Sequence, residues 1–319
     1  MIRTPICDLL GIEYPILQGG MAWAGTAELA AAVSNAGGLG IIGAGNAPPD
    51  WLRDQIRAVR ERTNKPFGVN VMLLSPFAQE CVDVVYEEMV PVVVTGAGNP
   101  GPLVPRFKGR GQKVVPVVAS VALARRLERY GIDAVVAEGT ESGGHVGETT
   151  TLVLVPQVVD AVKVPVIAAG GIADGRAVVA ALALGAQGVQ MGTRFLCSEE
   201  CIAHQNFKTK VLQSKDRATV VSGQTLGHPV RALENKMTRR FLEMEKAGRP
   251  ASDLEEFGAG KLRLAVVDGD MEMGSLMAGQ CCGLINDIKP VAVIIADLLS
   301  ETEALIGRLS TLPRESAHA

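Results

Sequence analysis

The sequence predicts an α/β fold: a (β/α)8 barrel of the TIM type with a smaller subdomain inserted after strand eight. Three observations predict it. Short apolar runs alternate with helix-like segments eight times between Tyr14 and Met191. Most of these runs are continuously apolar rather than alternating, as expected for parallel strands buried on both faces. The last two, Val164–Ala168 and Gly188–Met191, end in the small-residue turns Gly170-Gly171 and Gly192-Thr193-Arg194. Barrels of this class build a phosphate cradle in the turns after strands seven and eight. An open doubly wound sheet is the main alternative. Its dinucleotide fingerprint, G-x-G-x-x-G after the first strand, is not matched by Gly19-Gly20-Met21-Ala22-Trp23.

In chain order, Tyr14–Gln18 is the first strand. An Ala-rich helix over Thr26–Ala36 ends at Gly37-Gly38, a C-cap signal. Leu39–Ile42 is the second strand, and Pro48-Pro49 opens the next helix, where proline suits a first turn. Phe67–Leu73, Pro91–Thr95, Lys113–Val118 and Asp133–Glu138 are strands three to six. Ser120 caps an amphipathic helix, and Asp174 opens the Ala- and Val-rich helix between strands seven and eight. After Phe195 the periodicity weakens and charge rises. The expected division is a barrel over residues 1–197, an inserted subdomain or lid over 198–270, and C-terminal helices over 271–312, including one at Met273–Leu284.

The 319 residues are 47% hydrophobic, enough for one large core with an appended unit. A net charge of −3 offers no basic stripe for nucleic acid. No apolar run reaches bilayer length, and the N-terminus lacks the apolar core of a signal peptide. The chain therefore reads as cytoplasmic. Its six cysteines include no C-x-x-C pair and read as reduced, mostly buried thiols, with no metal site suggested.

The C-terminal ends of the eight strands form the mouth of such a barrel. They hold many Gly, Asn and Gln residues, one acidic pair (Glu138 and Glu141), one histidine and no lysine. Backbone N–H groups, amides and apolar surface suit a large planar cofactor with a phosphate tail, such as FMN, which carries its own chemistry. The cofactor-contacting positions are then Gly20, Met21 and Ala22 after strand one, Asn70, Glu138, and Ala169, Gly170, Gly171, Met191, Gly192 and Thr193 in the cradle. His145 follows Gly143-Gly144 in the loop after strand six. It reads as a mobile proton carrier, with a loop-stabilising role as the alternative. Gly144 and Met277 are candidates for the substrate pocket. His228 and Arg231 either stabilise the insertion or face the substrate, and His318 lies in a polar tail.

The segments LQGGMAW (17–23), FGVNVMLLSP (67–76), AEGTESGGHVG (137–147), VIAAGGIADG (166–175), VQMGTRF (189–195), GHPVRAL (227–233) and GSLMAGQ (274–280) resemble the FMN-dependent enoyl-acyl-carrier-protein reductases II. These belong to the nitronate monooxygenase (2-nitropropane dioxygenase-like) superfamily. The resemblance runs from about Leu9 to Leu284. It implies an FMN enzyme reduced by NADH or NADPH, passing hydride to the β-carbon of a trans-2-enoyl thioester on acyl carrier protein or CoA. It also implies a homodimer, activity supported by monovalent cations, and a catalytic role for His145. A nitronate monooxygenase using oxygen is the first alternative, and a non-catalytic flavin-binding protein the second.

Overall fold

The computed structural model describes residues 2–312; His318 lies outside them. A first helix, α1 (Pro5–Leu10), precedes the strands β1 (Ile16–Gln18) and β2 (Met21–Ala22). Then follow α2 (Ala27–Asn35), β3 (Gly40–Gly43), α3 (Pro49–Arg62), β4 (Phe67–Met72), α4 (Ala78–Glu87), β5 (Val92–Gly96), α5 (Val104–Lys108), β6 (Lys113–Val118) and α6 (Val121–Glu128). Next come β7 (Val135–Glu138), β8 (Gly144–His145), α7 (Thr151–Ala161), β9 (Val166–Ala169), α8 (Gly175–Ala183), β10 (Gly188–Met191) and α9 (Thr193–Leu196). The later elements are α10 (Gln205–Leu212), β11 (Thr219–Ser222), β12 (Val230–Leu233), α11 (Lys236–Lys246), α12 (Ala251–Gly258), α13 (Lys261–Val266) and α14 (Val291–Ser310).

All pairings in the large sheet are parallel, in the order β1-β10-β9-β7-β6-β5-β4-β3-β2. The sheet closes on itself. Leu17 bridges Leu39, with the Leu39 N–H donating to Ile16 O at 2.9 Å and the Gln18 N–H to Leu39 O at 3.0 Å. Eight strands thus form the barrel, and β2 is a two-residue spur beside β3. Hydrophobicity is continuous because both faces are buried. Leu17, Ile41, Val94, Val115, Val136 and Ile167 pack together in the interior with Ile6, Cys7 and Leu10 of α1, which plugs the N-terminal end. Their neighbours Ile16, Ile42, Val93, Val114, Val135 and Val166 pack outward against the helices. The period-2 pleat then determines what reaches the mouth: Asn70, Glu138 and Gln190 lie in the interior register.

Local signals act as their chemistry suggests. Gly37 takes φ 93°, and the N–H groups of Gly37 and Gly38 donate to Ser34 O and Val33 O, closing α2. The Ser120 hydroxyl accepts from Leu123 N, and the Asp174 carboxylate from Arg176 N and Ala177 N at 3.0 and 3.1 Å. Asp174→Ala should cost about 1 kcal/mol in urea unfolding, the usual worth of such a cap. α14 packs between α8 and α2, completing the outer ring.

Two local expectations differ from the structure. Met273–Gly279 is irregular rather than helical, leaving a turn at Met273 and Gly274; only Gln280–Leu284 makes a short 3-10 turn. Its backbone bonds elsewhere: Ser275 N to Lys261 O, Gly279 N to Thr193 Oγ1, and Gln280 N to Glu141 O. The loop after β7 is not free either. β8 joins an antiparallel sheet, β11-β12-β8, in which His145 faces Val230 and Gly144 faces Arg231.

Beyond the barrel, α10 sends Phe207 and Val211 into the main core, while Met237, Phe241 and Leu254 of α11 and α12 form a separate apolar cluster. The six cysteines are free and buried; burial pushes the Cys197 thiol to about 12 and Cys281 to about 11. Among the described residues, no helix is long and apolar enough to cross a membrane.

Candidate active site

A cavity of about 1140 Å³ opens at the C-terminal ends of the barrel strands. That exceeds the usual 300–1,000 Å³ of a single-ligand pocket, leaving room for a cofactor and a second molecule. Its wall includes Gly20, Met21 and Ala22 from the first strand end, Asn70 from β4, and Glu138 from β7. Ala169, Gly170 and Gly171 follow β9, and Met191, Gly192 and Thr193 follow β10. Gly144, His145 and Met277 complete the set. The residues named from the sequence for cofactor contact, proton transfer and the substrate pocket therefore meet in one cavity, whereas Glu141 and Arg231 do not line it.

Glycine is required at two of these positions by space. A Cβ at Gly20 would stand 2.3 Å from the Asn70 Cβ. Gly170 has φ 94°, and its Cβ would lie 2.7 Å from Gly139 O and 3.0 Å from Thr151 Oγ1. The turn is fastened by the Thr151 hydroxyl, which donates to Gly170 O at 2.9 Å. Glu141 does not reach the chemistry. Its carboxylate accepts from Thr151 N at 2.9 Å and so anchors the start of α7. Arg231 is buried and structural, donating from Nε to Thr140 O and from Nη1 to Thr219 Oγ1, both at 2.9 Å.

The cavity holds unsatisfied polar groups of both signs. The buried Oδ1 of Asn70 and Oε1 of Gln190 accept no hydrogen bond. Among the described residues, nothing accepts the backbone N–H of Gly171, Gly192 or Thr193. Orphaned buried groups are costly, and a native site keeps them for a ligand. Lone acceptors call for an N–H-bearing ring, and free N–H groups at two glycine turns call for an anion. A phosphorylated heterocycle such as FMN fits that donor set.

Two titratable groups are displaced. Glu138 is exposed only to the cavity, and burial pushes it up to about 7 although the Ser142 hydroxyl draws it partly back. Burial lowers His145 first, and the neighbouring His228 lowers it further. The raised Glu138 sets a pH slope. In the unfolded chain it ionises near 4.5, so between 4.5 and about 7 the unfolded state holds fewer protons than the folded one. Stability contributed by this group therefore falls as pH rises through that window. In flavin-free protein, Glu138→Gln should flatten the decline in melting temperature from pH 5 to 7.5.

Four participants were ranked low or missed from the sequence. His228, in the rim loop before β12, lies edge-on to His145 with ring centroids 6.2 Å apart. Its signal is the Gly227-His228-Pro229 turn, in which Gly227 takes φ 77°. Trp23 holds φ 65° at the mouth, its ring tilted against Trp51 with centroids 5.8 Å apart and lying 5.9 Å beneath the Arg263 guanidinium. No local pattern marks Phe241 and Leu254, which reach the same cavity from α11 and α12.

The phosphate-type turns, orphaned ring acceptors and cavity-facing histidine define a flavin-dependent oxidoreductase built on a (β/α)8 barrel. The chain belongs to the nitronate monooxygenase family, whose profile matches residues 3–82 and 76–301. It is 55% identical to FabK from Thermotoga maritima, with a TM-score of 0.95 over 97% of this chain and 99% of that one. A probable nitronate monooxygenase of Staphylococcus saprophyticus is 35% identical over 96% of this chain and 99% of its own. A Mycobacterium tuberculosis protein, (3aS,4S,5R,7aS)-5-hydroxy-7a-methyl-1-oxo-octahydro-1H-indene-4-carboxyl-CoA dehydrogenase, is 33% identical over 98% and 99%.

Proposed function

We propose that the protein reduces the carbon–carbon double bond of trans-2-enoyl thioesters carried on acyl carrier protein or CoA, with NADH or NADPH as reductant. The observation that carries this reading is the 55% identity to FabK, an FMN-dependent enoyl-acyl-carrier-protein reductase, across nearly the full length of both chains. The relatives named as nitronate monooxygenases stand at 33–35%. An apolar wall from Leu226, Phe241 and Leu254 suits an acyl chain better than a short nitronate. A homodimer in the cytoplasm belongs to the same reading.

A flavin bound in the cavity supplies the two-electron transfer between nicotinamide and substrate. The chain's residues supply the rest. The N–H groups of Gly171, Gly192 and Thr193 hold the phosphate, and the amide oxygens of Asn70 and Gln190 orient the ring. The apolar insertion residues keep water from the reacting carbons. The ring N–H of His145 delivers the proton that the α-carbon needs. Purified protein should oxidise NAD(P)H when given crotonyl-CoA or a longer enoyl thioester. Oxygen uptake with alkyl nitronates and no enoyl turnover would assign it instead to the reaction named for the staphylococcal relatives.

A further inference from the structure

We propose that His228 is a second proton-transfer residue, passing solvent protons to His145 on each turnover. The inference rests on the enoyl-reductase reading and deepens it. β8 and β12 are paired, with His145 opposite Val230, so His228, in the loop two residues before Val230, is brought beside His145. Both rings line the cavity, edge to face with centroids 6.2 Å apart. No direct hydrogen bond joins them, and the gap suits one bridging water. His228 sits at the rim, next to the exposed Gly227. His145 sits deeper, where cofactor and acyl chain close off water. The other ionisable groups on the cavity wall are Glu138, Glu255, Arg263 and the Cys281 thiol; none makes a ring contact with His145.

The proton balance requires such a partner. Reduction of an enoyl thioester consumes one NAD(P)H and one proton. Hydride bonds to the β-carbon, the double-bond pair moves to the α-carbon as a thioester enolate, and that pair takes a proton from His145. A neutral imidazole carries a single N–H and one acceptor nitrogen. Burial and the facing His228 both hold His145 in that neutral form. Giving up its only proton would leave an imidazolate unless the other nitrogen is protonated in the same step. His228, through one bridging water, makes that delivery and is recharged with a proton from solvent.

The test separates the two half-reactions in His228→Ala and His228→Asn holoenzyme. Reduction of the bound flavin by NAD(P)H, which needs no relay, should stay within about twofold of the unsubstituted protein. The enoyl half-reaction should slow by roughly 10- to 100-fold in both variants, within the range that a positioned proton carrier contributes. Imidazole added to the buffer should restore most of the lost rate and saturate with concentration, since a small diffusible proton donor can take the vacated place. Full activity in His228→Asn, or slowing that imidazole does not relieve, overturns the relay. Unsubstituted reduced protein that fails to reduce any enoyl thioester overturns the enzyme reading itself, and the relay with it.

Discussion

His145→Ala is expected to lose enoyl reduction by 10²- to 10⁴-fold while still binding flavin and accepting electrons from NAD(P)H. The range is what general-acid catalysis contributes when the donor is removed and water substitutes poorly. The dissociation of effects follows from position. His145 lines the cavity from β8, outside the strand ends that supply the cradle, and none of the hydrogen bonds fastening Gly170 or Thr193 involves its ring. Its backbone pairing with β12 does not depend on the side chain, so the small sheet should persist. Stopped-flow measurement of each half-reaction separately, with flavin content by absorbance, checks this. Equal enoyl rates in variant and parent would give His145 a purely structural place in the loop.

Gly170→Ala should act on the opposite term, weakening flavin retention at least 10-fold and lowering stability. At φ 94° an alanine incurs about 1–3 kcal/mol of backbone strain. The added Cβ also falls 2.7 Å from Gly139 O, a backbone atom that cannot step aside without shifting the end of β7 and with it Glu138. Both effects converge on a turn whose N–H groups would hold the phosphate in the proposed cradle. Titration of flavin-free protein with FMN, followed by fluorescence quenching, gives the affinity; urea unfolding gives the stability. An affinity within twofold of the parent would remove this turn from the cradle.

These sites were legible in the sequence to different degrees. The eight barrel strands stood out because both faces of each are buried, which leaves a continuous apolar run. The glycine turns stood out because a close backbone approach tolerates no side chain. The two-residue strands β2 and β8 carry too few residues for any period to show. β11 is largely half-buried and β12 only four residues long, and their pattern merges with the polar residues around them. Met273–Gly279 has helix-forming residues in sequence, yet a Cβ at Gly274 would stand 2.4 Å from Asp270 O and one at Gly279 2.7 Å from Glu141 O. Close tertiary approach at those glycines overrides local propensity. His145 was visible by its Gly-Gly approach, but not its tether, because β12 lies more than eighty residues downstream. His228 entered the site through that same long-range pairing, which sequence periodicity does not register.

The most direct test of the central claim is an anaerobic half-reaction. Protein first reduced with one equivalent of NADH or NADPH is mixed with an enoyl thioester, and oxidised protein is mixed separately with an alkyl nitronate. The structure and its similarity to FabK lead us to expect rapid return of the oxidised flavin spectrum with the enoyl thioester, one saturated thioester formed per flavin, and no reaction with the nitronate. A flavin that stays reduced in the presence of enoyl thioester, while oxidised protein is reduced by nitronate, would contradict the assignment.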